Sequence, residues 1–69
     1  MIDARGLACP LPVIQTQRAI EKSHPDTLEV WVDNHPAVQN VTRFANNAGY
    51  SVTVKELEDE EFALTLTKR

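Results

Sequence analysis

The amino-acid sequence predicts an α/β domain of the α+β type, a two-layer sandwich with two helices on one face of a four-stranded mixed sheet. Strand and helix patterns follow one another in the order β-α-β-α-β-β over 69 residues, which is room for one domain spanning residues 1–69. Each strand pattern is apolar on one side only, so one face of the sheet must be covered by helices. The chain has a single cysteine, so a compact apolar core, and not an internal disulfide, must hold the fold.

The chain begins with a short predicted strand, residues 2–4, followed by a helix over residues 11–22. The helix has one apolar arc when its residues are spaced at about 100°, with Gln17 near the middle of the arc. The arc consists of Val13, Ile14, Ile20 and the ring of Pro10. Pro25 cannot continue a helix and favours extended backbone at His24, so the helix is predicted to end there.

The remaining elements are a strand, a second helix and two further strands. Residues 28–33, 50–55 and 62–67 alternate between apolar and polar side chains and predict the three strands. The second helix starts at the segment Asn34-His35-Pro36, where Pro36 is a first-turn proline, and it ends at Gly49. Its apolar stripe is Ala37, Val41, Phe44 and Ala48, supported by Val38 and Ala45. The acidic stretch between the last two strands is interpreted as a solvated loop.

The alternation also predicts which side chains are buried. The expected core comprises Leu28, Val30, Val32, Val41, Phe44, Val52, Val54, Leu64 and Leu66. Trp31 is the one large apolar side chain predicted on the open face of the sheet, where it should remain largely accessible.

Composition narrows the class of function. The net charge of −3 argues against binding to a phosphate backbone, and no apolar run approaches the roughly 20 residues of a membrane span. The first five residues do not have the pattern of a signal peptide, and a lone thiol favours the reducing cytoplasm. Two histidines and one cysteine make a poor set for zinc, so neither a metal nor a cofactor is expected.

Cys9 is the main candidate for chemistry. If it is the cap of the first helix, Pro10 and Pro12 are the first and third helical residues, where prolines remove no helical hydrogen bond. The amino end of a helix favours an anion, and the thiolate is the reactive form of cysteine, so a moderate lowering of the thiol pKa is expected. Cys9 is then a nucleophile or a carrier of a sulfur-bound group. The alternative is a small buried hydrophobic residue, as free cysteines usually are.

Neighbouring residues are predicted to support this position. Gly6 permits a tight turn before the helix, and the Asp3 carboxylate can accept backbone hydrogen bonds from that turn. Arg5 adds positive charge nearby. For docking of a partner protein, Arg5, Arg18 and Trp31 are candidates, although a solvated helix flank explains Arg18 and cover for neighbouring strands explains Trp31.

The segment 3–12, DARGLACPLP, resembles the signature of the TusA/SirA/YedF small sulfur-carrier family, and the resemblance extends over essentially the whole chain. Asp33-Asn34 and the stretch 40–45, ahead of Gly49-Tyr50, look most like the amino-terminal domain of YedF-type proteins, some of which are associated with selenium metabolism.

The resemblance implies a sulfur relay without a cofactor. Cys9 would accept sulfane sulfur as a persulfide from a cysteine desulfurase or a rhodanese-type donor, and would pass it to a downstream acceptor protein. Such a protein is a carrier in sulfur transfer, not an autonomous enzyme. The alternative is a regulatory or interaction module that keeps the fold and transfers no sulfur.

Overall fold

The computed structural model describes residues 1–8 and 10–69 and confirms the predicted order of elements. The elements are β1 (Ile2–Asp3), α1 (Leu11–Ser23), β2 (Thr27–Val32), α2 (His35–Asn47), β3 (Tyr50–Glu56) and β4 (Phe62–Lys68). Within the described part of the chain, neither helix is long and apolar enough to cross a membrane.

The four strands form one mixed sheet in the order β1-β2-β4-β3. β1 is parallel to β2, with Ile2 opposite Val30, and β4 is antiparallel to both β2 and β3. A helix follows each of the two parallel strands. Because β1 and β2 are parallel neighbours, α1 and α2 both begin at the same edge of the sheet.

The core lies between the sheet and the two helices, as predicted, and most of the expected residues are buried. Fully or nearly fully buried are Leu28, Val30, Val32, Val41, Leu64 and Leu66. Three expectations need correction: Phe44 and Val52 are only partly buried, and Val54 is 45% exposed. Val54 lies towards the carboxyl end of the edge strand β3, whereas the opposite end of that strand carries the buried Tyr50. The side chains at the beginning of β3 are therefore better buried than those towards its end.

The buried face of α1 differs from the predicted arc. Pro12, Thr16 and Ile20 point into the core, whereas Gln17 and Pro10 are exposed. Hydropathy alone does not favour a buried threonine. Thr16 is nevertheless fully buried because its hydroxyl donates a hydrogen bond of 2.8 Å to the carbonyl oxygen of Pro12, one turn earlier.

The end of α1 also needs correction. His24 is not extended but left-handed, with φ of 44° and ψ of 56°. Its N–H donates to the carbonyl oxygen of Ile20 at 2.8 Å, so the residue closes the last turn and reverses the chain towards β2. This conformation still avoids the right-handed helical region that Pro25 disfavours.

Candidate functional site

The candidate site is the loop between β1 and α1. Cys9 lies outside the described residues, so its predicted role stays a prediction. Residues on both sides of it in the sequence are exposed, among them Gly6, Ala8, Pro10 and Leu11. Leu11 is 43% exposed although it is apolar. The described residues of this loop are thus mostly exposed, and the loop lies at the edge of the sheet where both helices begin.

α1 begins at Leu11, as predicted from the sequence, but its cap lies one residue later than the cap considered for Cys9. Pro10 occupies the cap position, with φ of −101° and ψ of 23°, and Pro12 is the second helical residue. The prediction that Cys9 is the cap is therefore wrong. The Leu11 N–H donates to the carbonyl oxygen of Ala8 at 2.9 Å, and this additional turn precedes the first helical residue. Pro10 makes no side-chain capping bond.

The predicted tight turn at Gly6 is present. Leu7 N–H lies 3.4 Å from the carbonyl oxygen of Ala4, and Gly6 is the third residue of this turn, with φ of +79°. This backbone conformation strains residues other than glycine. Ala4 is fully buried, and its N–H donates to the carbonyl oxygen of Trp31 at 2.8 Å, which attaches the beginning of the loop to β2.

The segment that follows β2 contacts the loop from the other side. Asp33 accepts a hydrogen bond of 2.7 Å from the Gly6 N–H through Oδ2, and one of 3.0 Å from the Asn34 side-chain amide through Oδ1. Asn34 is the cap of α2, because its Oδ1 accepts from the Ala37 N–H at 2.8 Å. His35, the first residue of α2, packs against the ring of Phe62 with 5.0 Å between the ring centroids. Sequence reasoning missed Asp33 as a loop contact, since Gly6 is 27 residues away.

A small ion network lies at the base of the loop. The guanidinium of Arg5 donates through Nε and Nη2 to the two carboxylate oxygens of Asp3, both at 2.8 Å, and through Nη1 to Glu61 Oε1 at 3.1 Å. The Arg5 backbone N–H also donates to Asp3 at 3.2 Å, as predicted for this carboxylate. Glu61 belongs to the acidic stretch, so this part of it is a specific contact and not merely solvated.

The network changes the electrostatic role expected for Arg5. Its side-chain and backbone hydrogen bonds lower the pKa of Asp3 from 3.8 to about 2, and the carboxylates of Asp3 and Glu61 raise the pKa of Arg5. One guanidinium thus faces two carboxylates. Its positive charge is offset locally, so Arg5 contributes less than expected to stabilising a thiolate in the loop.

The docking candidates are distributed over different surfaces. Arg5 lies over Trp31, with its guanidinium carbon 4.8 Å from the ring centroid. Trp31 is only partly exposed, contrary to prediction, and its Nε1 is buried without a hydrogen-bond partner among the described residues. Ala63, opposite Trp31 in β4, is buried, as expected if the indole covers neighbouring strands. Arg18 is exposed on α1, on the side opposite Thr16 and away from the sheet.

Comparisons with known proteins agree on one family. The family model described as “Sulfurtransferase TusA” matches residues 1–68. A protein of Methanocaldococcus jannaschii named “Putative sulfur carrier protein” is 38% identical over 68 residues, covering 97% of this chain and 91% of the relative. A protein of Archaeoglobus fulgidus with the same descriptive name is 30% identical, covering 100% of this chain and 81% of the relative. The crystal structure of a SirA-like protein from Desulfitobacterium hafniense matches with a TM-score of 0.86 at 31% identity, covering 96% of this chain and 92% of that chain.

Proposed function

Because this chain belongs to the TusA sulfurtransferase family, we propose that it is a sulfur carrier in which Cys9 holds sulfane sulfur as a persulfide. The observation that carries this proposal is the loop around position 9. It is exposed on both sides of the cysteine and is tied by hydrogen bonds to β2 and to the segment after it. A carrier needs such a position, since donor and acceptor enzymes must both reach the sulfur.

The chemistry requires one thiol. The Cys9 thiolate attacks the terminal sulfur of the donor's persulfide, a new S–S bond forms, and the donor's S–S bond breaks as its own thiolate leaves with the electron pair. Delivery repeats this exchange on the acceptor, so no external oxidant or reductant enters either step. Cys9 is the only cysteine of the chain. A second nearby thiol would attack the persulfide and release its sulfur, so the absence of one in the sequence suits a carrier.

The partners follow from this chemistry. A cysteine desulfurase or a rhodanese-type protein would supply the sulfur in the cytoplasm, and a second sulfurtransferase would accept it. Leu11, next to the loop, and Arg18, two turns along α1, offer these proteins one apolar and one cationic contact. Arg5 and Trp31 would add a surface whose geometry is already fixed by Asp3 and Glu61.

The test is incubation with a cysteine desulfurase and cysteine, followed by intact-mass measurement. We expect the mass to increase by one sulfur atom and to return to the starting value on reduction. The matched control is Cys9→Ser, which removes the only thiol and should gain no mass. If the wild-type chain gains no sulfur from desulfurase or rhodanese-type donors, the carrier proposal is wrong, and the alternative of an interaction module is favoured.

The likeness to YedF-type proteins extends the proposal to selenium metabolism. The same incubation with selenocysteine as the substrate of the donor enzyme tests this extension. A gain of one selenium atom on Cys9 would support it, and loading with sulfur alone would restrict the protein to sulfur transfer.

A further inference from the structure

We propose that Asp33 is a positioning residue. Its carboxylate holds the loop between β1 and α1 (residues 4–10, the cysteine loop) in the geometry needed for sulfur transfer. The role in transfer rests on the proposed function, whereas the hold on the loop rests on contacts alone. Asp33 directly follows β2 and is half-buried. It is 24 residues from Cys9 in sequence, and no motif of the loop includes it.

The Asp33–Gly6 hydrogen bond is much shorter than the bond that closes the turn. The bond from the Gly6 N–H to Oδ2 measures 2.7 Å, whereas the turn's own Leu7–Ala4 bond measures 3.4 Å. Bonds to an ionised acceptor are shorter and roughly twice as strong as neutral ones. The conformation of this turn therefore depends more on the carboxylate than on the closing bond of the turn itself.

The carboxylate is itself fixed in orientation. Its second oxygen, Oδ1, accepts from the Asn34 side-chain amide at 3.0 Å, and the Oδ1 of Asn34 is in turn held by the Ala37 N–H at 2.8 Å. The start of α2 thus fixes Asn34, Asn34 fixes Asp33, and Asp33 fixes Gly6. The cysteine loop is positioned against the first turn of the other helix, which is anchored in the core by the buried Ala37.

Both carboxylate oxygens of Asp33 accept a hydrogen bond. Replacement of Asp33 by asparagine and by alanine should therefore have different effects. In Asp33→Asn the side-chain oxygen can still accept from Gly6, but the new amide group would face the amide of Asn34, donor against donor. In Asp33→Ala both bonds are lost. A positioning role therefore predicts that asparagine largely replaces aspartate and that alanine does not.

The experiment measures two quantities on the wild type, Asp33→Ala, Asp33→Asn and the control Asp26→Ala. Asp26 is an exposed aspartate before β2, and no side-chain hydrogen bond or ion pair joins it to the described residues. The first quantity is hydrogen exchange of the Gly6 amide by NMR. The second is the rate of persulfide transfer to Cys9 at a saturating concentration of a persulfidated desulfurase.

We expect Asp33→Ala to speed exchange of the Gly6 amide by roughly tenfold or more and to slow saturated transfer by a similar factor. Asp33→Asn and Asp26→Ala should stay within roughly threefold of the wild type in both. The inference is overturned if Asp33→Ala folds and transfers sulfur at the wild-type rate, or if Asp33→Asn is impaired as much as Asp33→Ala.

Two further outcomes keep the conclusions separate. If Asp33→Ala does not fold, the exchange rate of the Gly6 amide in the wild type tests the inference. Exchange as fast as in an unstructured chain would contradict a hydrogen bond from Gly6 to Asp33. If the wild type takes up no sulfur while the Gly6 amide responds as expected, the carrier function is wrong and the hold on the loop stands. If the wild type takes up sulfur but exchange of the Gly6 amide is unchanged in Asp33→Ala, the carrier function stands and the hold by Asp33 is wrong.

Discussion

The two helices begin in contrasting ways although they have much in common. Each has 13 residues, each follows a strand at the same edge of the sheet, and each has proline as its second residue. α2 begins at Asn34, whose side chain accepts from the Ala37 N–H at 2.8 Å. α1 begins at the exposed Pro10, which makes no side-chain capping bond.

The difference shows two ways of starting a helix. At α2 the sequence satisfies a backbone donor with a side chain, which typically stabilises a protein by about 1 kcal/mol. At α1 the prolines restrict the backbone and remove donors instead of satisfying them. The α1 start therefore lacks a stabilising side-chain cap at Pro10, and we expect it to contribute less to stability than the α2 start.

The largest effect is expected at the α1 start. Cys9→Ser should remove all persulfide loading, because serine cannot form a persulfide, and should leave the fold intact. Intact mass after incubation with a desulfurase and cysteine measures loading, and thermal unfolding measures stability. A loss of folding in Cys9→Ser would mean that the thiol is a core residue, and the contrast between a structural and a functional helix start would fail.

At the α2 start, Asn34→Ala should lower the free energy of unfolding by about 1 kcal/mol, because the Ala37 N–H loses its acceptor. For a domain of this size the melting temperature should fall by about 4–8 °C. Asn34→Ser is the matched control, since serine is also a good cap and should recover most of the loss. A melting temperature for Asn34→Ala equal to that of the wild type would show that this cap does not contribute to stability.

The reciprocal change at the α1 start should have little effect. Pro10→Asp introduces a capping side chain, but the backbone at this position, with φ of −101° and ψ of 23°, lies outside the extended region that caps adopt. Pro12 also removes one of the amides that a cap would reach. We expect the unfolding free energies of Pro10→Asp and Pro10→Ala to agree within about 0.5 kcal/mol. An advantage of about 1 kcal/mol for aspartate would mean that the two starts are interchangeable.

The smallest effect concerns the ion network below the α1 start. In Arg5→Gln the pKa of Asp3 should rise from about 2 towards its ordinary value of 3.8, because the guanidinium that favours the carboxylate is gone. The wild-type pKa is lower in the folded state, so this contribution to stability is complete above pH 3.8 and is lost as the pH falls to about 2. Arg5→Gln should lose that acid dependence.

An NMR titration of the Asp3 carboxylate measures this shift, with Arg43→Gln as the control at another exposed arginine. Tryptophan emission should also change in Arg5→Gln, because the cation 4.8 Å from the Trp31 ring is removed. An unchanged Asp3 titration would show that the network does not form in solution.

Patterns within the sequence were sufficient to predict the type and order of the helices and strands. Strict alternation identified β2, β3 and β4, and Pro36 and Gly49 marked the limits of α2. The errors arose where contacts outweigh hydropathy. Thr16 is buried because its hydroxyl reaches the carbonyl oxygen of Pro12, so the face of α1 is rotated away from Gln17.

The site was predictable only in part. Gly6 and Asp3 act within a few residues of their own positions, so local turn chemistry identified both. Asp33 and Glu61 contact Gly6 and Arg5 across 27 and 56 residues, and no local pattern reveals such a contact. The Asn34 cap did have a local signal, an asparagine directly ahead of a helix with an early proline.

The order of strands has a consequence for the time course of folding. β3 and β4 are joined by five residues and pair along their whole length, whereas the two residues of β1 pair with β2 across 28 positions. Local pairs form before distant ones because they close shorter loops. The hairpin of β3 and β4 should therefore form early and β1 should dock late. The amides of β1 would then be the first of the sheet to exchange with solvent. The loop before α1 acquires its geometry only in that late step, so a nascent chain would become a competent sulfur acceptor at the end of folding.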